Sequence, residues 1–143
     1  MFLLVRKGID LERKLVNMLW EEGYAAIRIP ASGAGSSRYP KPDIICGDGK
    51  RYLAFQVKST KNEMLYIDHN DIDALKDFSK IFGAKPYLAI KFSNDTSIYF
   101  LEPEDLPRTR SENYKISQEL AKQKGLTFEM LMKNCVKITL DWD

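Results

Sequence analysis

Scarcity narrows the chemistry of this chain before any motif does. Among 143 residues there are two cysteines and one histidine. Cys46 and Cys135 are too few for a disulfide framework or a zinc site and suit a reducing compartment. With a single histidine, His69, no His-based triad or zinc site can be assembled without straining, and it reads as the surface of a helix start. The apolar opening Met1-Phe2-Leu3-Leu4-Val5 meets Arg6-Lys7 too early for a signal sequence or a membrane span. No repeat, linker or low-complexity tract interrupts the chain, and the expected location is the cytoplasm.

What remains is ordinary globular material, 44% hydrophobic and 29% charged, enough for one domain over residues 1–143 with a real core. The net charge of +2 is uninformative, but its distribution is not. Residues 1–61 hold 11 Lys/Arg against 6 Asp/Glu, while residues 62–143 hold 11 against 14. A polyanionic substrate would favour the first segment, although scatter over a solvated surface gives the same count.

Apolar spacing predicts an amphipathic helix over residues 8–22, with Ile9, Leu11, Leu15, Met18 and Leu19 on one stripe and Gly23 as its stop. Strands are expected over Tyr24–Ile29, Asp43–Cys46 and Arg51–Lys58, the last two forming a hairpin through Gly47–Lys50. A helix follows over Asn70–Phe82, then a hairpin of Tyr87–Phe92 and Ser97–Leu101. Past Pro103, Ile116–Lys124 and Phe128–Asn134 read as short helices and Val136–Leu140 as a strand. This order implies an α/β domain with a central mixed sheet of about five strands flanked by helices.

Four side chains could act together. Glu12 borders the buried stripe of the first helix, where a carboxylate is costly unless a cation meets it. Pairing with a surface base would equally account for it. Asp43 follows Pro42 and opens an apolar strand; a plain turn aspartate is the alternative. On the third strand, Gln56 and Lys58 alternate to one face, as on an edge strand's solvated face or in a site. Two carboxylates and a lysine on adjacent elements suit a magnesium-dependent phosphodiesterase, the acids holding the ion and the ammonium steadying phosphate charge. Gln56 stands where such a site normally has a third acid.

Ser32 lies in the small-residue loop Ala31–Ser37, which can approach a phosphate backbone but lacks the lysine of a P-loop. Arg28, Arg38, Lys41 and Lys61 are phosphate-contact candidates. Phe78 and Phe82, four apart on the second helix, read as core or as an outward pair for a subunit contact.

With these residues in place the chain resembles the archaeal Holliday junction resolvases, a branch of the PD-(D/E)xK nucleases. Arg6-Lys7-Gly8, Glu12-Arg13-Lys14-Leu15, Gly23–Arg28, Ala31-Ser32-Gly33, Pro42-Asp43-Ile44-Ile45, Gly47–Lys58, Leu65-Tyr66-Ile67, Phe78…Phe82-Gly83 and Leu88–Phe92 carry the likeness. It covers about residues 6–101. The resemblance implies a restriction-endonuclease-like fold and a homodimer cutting branched double-stranded DNA, with no membrane or small-molecule cofactor involved. Magnesium, or manganese in its stead, would be gathered by Glu12, Asp43, position 56 and the Val57 carbonyl, with Lys58 and Ser32 completing the catalytic set. Arg13 and Arg28 match basic positions that help bind DNA or complete the site, Arg6 and Lys7 are further DNA-binding candidates, and Phe78 and Phe82 match a dimer contact. Gln56 departs from the family's Glu. Two further readings therefore stay open: a Q-x-K nuclease for other DNA, and a junction-binding protein with impaired catalysis.

Overall fold

The computed structural model describes residues 2–30 (2–7 by backbone alone), 39–107, 109 and 113–134. Helix α1 (Phe2–Glu21) leads into β1 (Ala25–Arg28), β2 (Ile44–Gly47), β3 (Tyr52–Thr60) and β4 (Met64–Ile67). Then come α2 (His69–Phe82), β5 (Lys85–Phe92) and β6 (Ile98–Leu101), a short 3-10 turn over Pro103–Asp105, β7 (Tyr114–Ser117), α3 (Gln118–Lys124) and α4 (Phe128–Met132). The main sheet has the order β1-β2-β3-β5-β6, and β4 pairs with β7 in a smaller one. Within the main sheet β3 and β5 run parallel while the other neighbours are antiparallel. A parallel pair needs a crossover, and β4 with α2 supplies it.

Each face of the sheet is covered by a helix. Leu11, Leu15 and Leu19 of α1 pack with Leu53, Phe55 and Val57 of β3 and with Tyr87 and Ala89 of β5. Ile72 and Leu75 of α2 pack on the other face with Ala54, Leu88 and Ile90. The alternation expected for β3 thus sorts its side chains between two cores. Ring contacts of Phe55 with Tyr87 (6.2 Å) and Phe100 (5.7 Å) knit the α1 side. Cys46 belongs to this core as an inert thiol, which burial pushes up to about 12. Helix α2 has firm ends: the Asp68 carboxylate accepts the Asn70 N–H, and Gly83 takes the left-handed conformation (φ 90°) that glycine tolerates.

Several boundaries differ from expectation. Helix α1 starts at Phe2 rather than residue 8, and β3 continues to Thr60. The second strand runs over Ile44–Gly47, so Asp43 stands just ahead of it rather than within it. Ile116 and Ser117 belong to a strand rather than a helix. Tyr114 and Ile116 are buried in alternation, and the Ser117 hydroxyl caps α3 by accepting the Leu120 N–H. Their partner Met64–Ile67 had no strand assigned from spacing. The last helix stops at Met132 instead of Asn134, and the strand expected over Val136–Leu140 lies outside the described residues.

Candidate active site

Helix α1 carries Glu12 next to the buried Leu11, and β1 brings Arg28 to it: Arg28 Nη1 lies 3.4 Å from Glu12 Oε1. Both side chains are largely covered, 16% exposed for Glu12 and 25% for Arg28. Asp43 is fixed by its own backbone, donating to Phe55 O (2.8 Å) and accepting at its carbonyl from Ile29 N–H (2.7 Å). Its side chain turns toward β3 and accepts the Val57 N–H at Oδ2 (2.8 Å). The carboxylate thereby takes the place that a residue of β2 would fill in a continued ladder.

That substitution explains how groups from both faces meet. Strand β2 pairs with β3 only over Tyr52–Phe55, whereas β5 accompanies β3 to Thr60. From Val57 onward one edge of β3 has no β2 partner. Arg28 lies opposite Ile44, whose side chain belongs to the α1 core, whereas Gln56 and Lys58 alternate to the α2 face. Around the open edge these charges act on one another. Burial, then the Asp43 charge, raises the Glu12 carboxyl above its ordinary range, with Arg28 and Lys58 opposing. Burial likewise raises Asp43, against the pull of the Val57 N–H and the Lys58 charge. Glu12, Asp43 and Lys58 therefore share one electrostatic neighbourhood, as their spacing in sequence required of a site.

Gln56 is half-buried on β3, in register with Leu88. Because N–H and C=O of one strand residue point to the same side, the Val57 carbonyl is also directed to the open edge. Among the described residues no three His, Cys, Asp or Glu side chains gather as a metal cage. Any cation here would meet two acids, with further oxygens from an amide and the main chain. Such hard oxygen donors fit magnesium or manganese.

The other expected positions separate into groups. Arg13 and Lys41 are exposed. Lys61 lines a cavity of about 320 Å³ with Leu11, Lys14, Ser59, Thr60, Lys91 and Ser93. Ser32 and Arg38, and the side chains of Arg6 and Lys7, lie outside the described residues. Phe78 and Phe82 stack with ring centroids 5.2 Å apart. Phe78 is half-buried against the α2-side core, while Phe82 is 52% exposed beside Ile81 at 86%. Elsewhere, Ile27 of β1 is 57% exposed at the end of the cross-strand row Ile27–Ile45–Ala54, whose Ala54 is fully buried.

Three residues escaped the sequence reading, Asp71 first among them. Asp71 in the first turn of α2 places Oδ2 3.0 Å from Lys58 Nζ. It precedes Ile72 and lies four before Leu75, the same rim position relative to a buried stripe that singled out Glu12. Lys14 and Lys91, lining the cavity with Lys61, were also missed.

Comparison with known proteins identifies the family. The sequence model of the archaeal Holliday junction resolvase (hjc) family matches residues 4–140, well beyond the stretch 6–101 that carries the motif-level likeness. A crossover junction endodeoxyribonuclease Hjc of Archaeoglobus fulgidus is 37% identical over 114 residues, covering 80% of this chain and 81% of that protein. The enzyme of the same name from Methanocaldococcus jannaschii is 40% identical over 115 residues, covering 80% and 79%. The solved structure of A. fulgidus Hjc, described as a Holliday junction resolvase from an archaeal hyperthermophile, superposes with a TM-score of 0.78. It covers 87% of this chain and 99% of that one, at 37% identity. With the family model matching nearly the whole chain and relatives and a solved structure at 37–40% identity, the chain belongs to the archaeal Holliday junction resolvase family.

Proposed function

We propose that this protein is a divalent-metal-dependent endodeoxyribonuclease that hydrolyses phosphodiesters in DNA four-way junctions, residues 1–143 forming one nuclease domain. The carrying observation is the meeting of Glu12, Asp43 and Lys58 at the open edge of β3 in a chain of this family. Glu12, Asp43, the Gln56 amide oxygen and the Val57 carbonyl would hold the ion, magnesium in the first instance or manganese. When bound, it supplies Lewis acidity and a more acidic water. The two acids suit that task because burial leaves their charges short of compensation. Val57 N–H fixes one oxygen of Asp43, and the other would be available to hold the ion. As water attacks phosphorus and the P–O bond to the leaving alcohol breaks, Lys58 stabilises charge growing on the phosphoryl oxygens. Ser32 would add a hydroxyl to the catalytic set.

Duplex arms would lie on Arg6, Lys7, Arg13, Arg28, Arg38, Lys41 and Lys61, with Lys14 and Lys91 beside the last. Two cuts across a branch point call for two sites related by a symmetry axis, hence a homodimer. The exposed Phe82 and Ile81 support α2 as the contact. A cytoplasmic setting accords with this role, and among the described residues no helix is long and apolar enough to cross a membrane. One observation favours a different reading: Gln56 brings one charge fewer than an acid, as in a junction binder with weakened catalysis. Incubation of the protein with an immobile junction and a matched linear duplex in magnesium tests both. Cleavage confined to the junction is expected; equal cutting of both refutes junction selectivity, and binding without cleavage favours the impaired binder.

A further inference from the structure

The ion pair between Lys58 and Asp71 lies beside the two acids and is used by none of the steps above. Lysine carries its charge on a flexible four-carbon stem, and an ammonium left to itself spreads over many rotamers. Asp71 is well placed to prevent that. It sits on a helix whose first turn is capped by Asp68, which accepts the Asn70 N–H on its side chain and the Asp71 N–H on its carbonyl (3.1 Å). The helix is pinned by Ile72 and Leu75, both fully buried on the β3–β5 face. From this mount Oδ2 meets Lys58 Nζ at 3.0 Å, with Lys58 30% and Asp71 41% exposed. A pair of this kind could withdraw the lysine from the site or aim it. The geometry favours aiming: Lys58 directly follows Val57, whose N–H is bound by the Asp43 carboxylate (2.8 Å), so an ammonium fixed to Asp71 at 3.0 Å is mounted next to that acid's anchor point.

We propose that Asp71 is a positioning residue of the nuclease centre, holding the Lys58 ammonium on the site side of β3. The role rests on the reading of Lys58 as the cation that steadies the reacting phosphate. It also mounts that cation on the helix whose far end bears Phe78 and Phe82.

The test compares wild type with Asp71→Asn, Asp71→Glu and Asp73→Asn, the last removing an equal charge from the same helix. Three quantities are read: the Lys58 ammonium signal by NMR of the metal-free protein, the single-turnover cleavage rate at saturating protein, and the dissociation constant for the junction. In Asp71→Asn the Lys58 signal should collapse to that of a mobile lysine. The cleavage rate should fall about 10- to 100-fold, the scale of a misplaced catalytic group, with junction affinity nearly unchanged. Asp71→Glu should recover most of the rate, and Asp73→Asn should alter neither signal nor rate. An unaltered Lys58 signal in Asp71→Asn overturns the proposal. So does a rate loss matched by Asp73→Asn, or one that runs in parallel with lost junction affinity. Failure of wild type to cut junctions would instead remove the proposed function, and the Lys58 signal would still decide whether Asp71 orders the ammonium.

Discussion

Leu53, Ala54 and Phe55 in the first half of β3 are fully buried, with β2 on one side and β5 on the other. Gln56, Lys58, Ser59 and Thr60 in the second half keep contact with solvent and have β5 alone beside them. The same strand thus serves as core where two neighbours flank it and as candidate site where one neighbour stops. The difference teaches that this fold makes its candidate site by ending a ladder early. An unpaired backbone edge and side chains from two faces then become available to a ligand.

The comparison breaks most sharply through Asp43, which fills the place of the missing β2 residue. Asp43→Ala should lower the junction cleavage rate at least about a thousandfold, since it removes an ion-holding group. Rapid-quench kinetics would reveal this, with folding checked by circular dichroism. In the other half, Phe55→Ala should cost about 3–5 kcal/mol of stability through the cavity it leaves. Urea unfolding measures that loss, and the variant should still cleave in the cold. A large cleavage defect with little loss of stability would reverse the roles assigned to the two halves.

Smaller effects sharpen the contrast. Gln56→Glu restores a negative charge at the open edge and should lower the magnesium concentration for half-maximal cleavage roughly tenfold, equivalent to about 1.4 kcal/mol. An unchanged magnesium requirement would remove position 56 from the ion's shell. The smallest effect concerns the acids themselves. Burial raises the Asp43 carboxyl in the folded protein, so folding favours its protonated form. Its contribution to stability is then full below the ordinary carboxylate value and is lost as pH rises through the raised one. Asp43→Asn should therefore melt roughly a few degrees higher than wild type at neutral pH without metal. The gap should close in acid, as calorimetry would show. A lower melting temperature for Asp43→Asn at neutral pH would contradict burial as the cause.

Local signals made much of this legible. The α1 stripe, the acid after Pro42 and the alternation of Gln56 and Lys58 each follow from periodicities of a few residues, and the structure keeps all three. The five-stranded mixed sheet followed from the same reading. Asp71 was not legible because its partner is thirteen residues away, across a β4 crossover that spacing did not assign. Tyr114–Ser117 failed for a related reason: two buried residues in alternation are too short a pattern to outweigh the helix that Ser117 caps. The apolar row from Ile27 to Ala54 becomes visible only once β1, β2 and β3 are set in register.

The central claim is that two half-buried acids at the end of a truncated ladder would hold the ion needed for cleavage of branched DNA. It is tested most directly by titrating magnesium into an immobile four-way junction with saturating wild-type protein or Asp43→Ala. The account predicts metal-dependent, paired cuts near the branch point by the wild type and intact junction with the variant. Equal cleavage by both proteins, or a wild-type rate indifferent to magnesium and manganese, would contradict it.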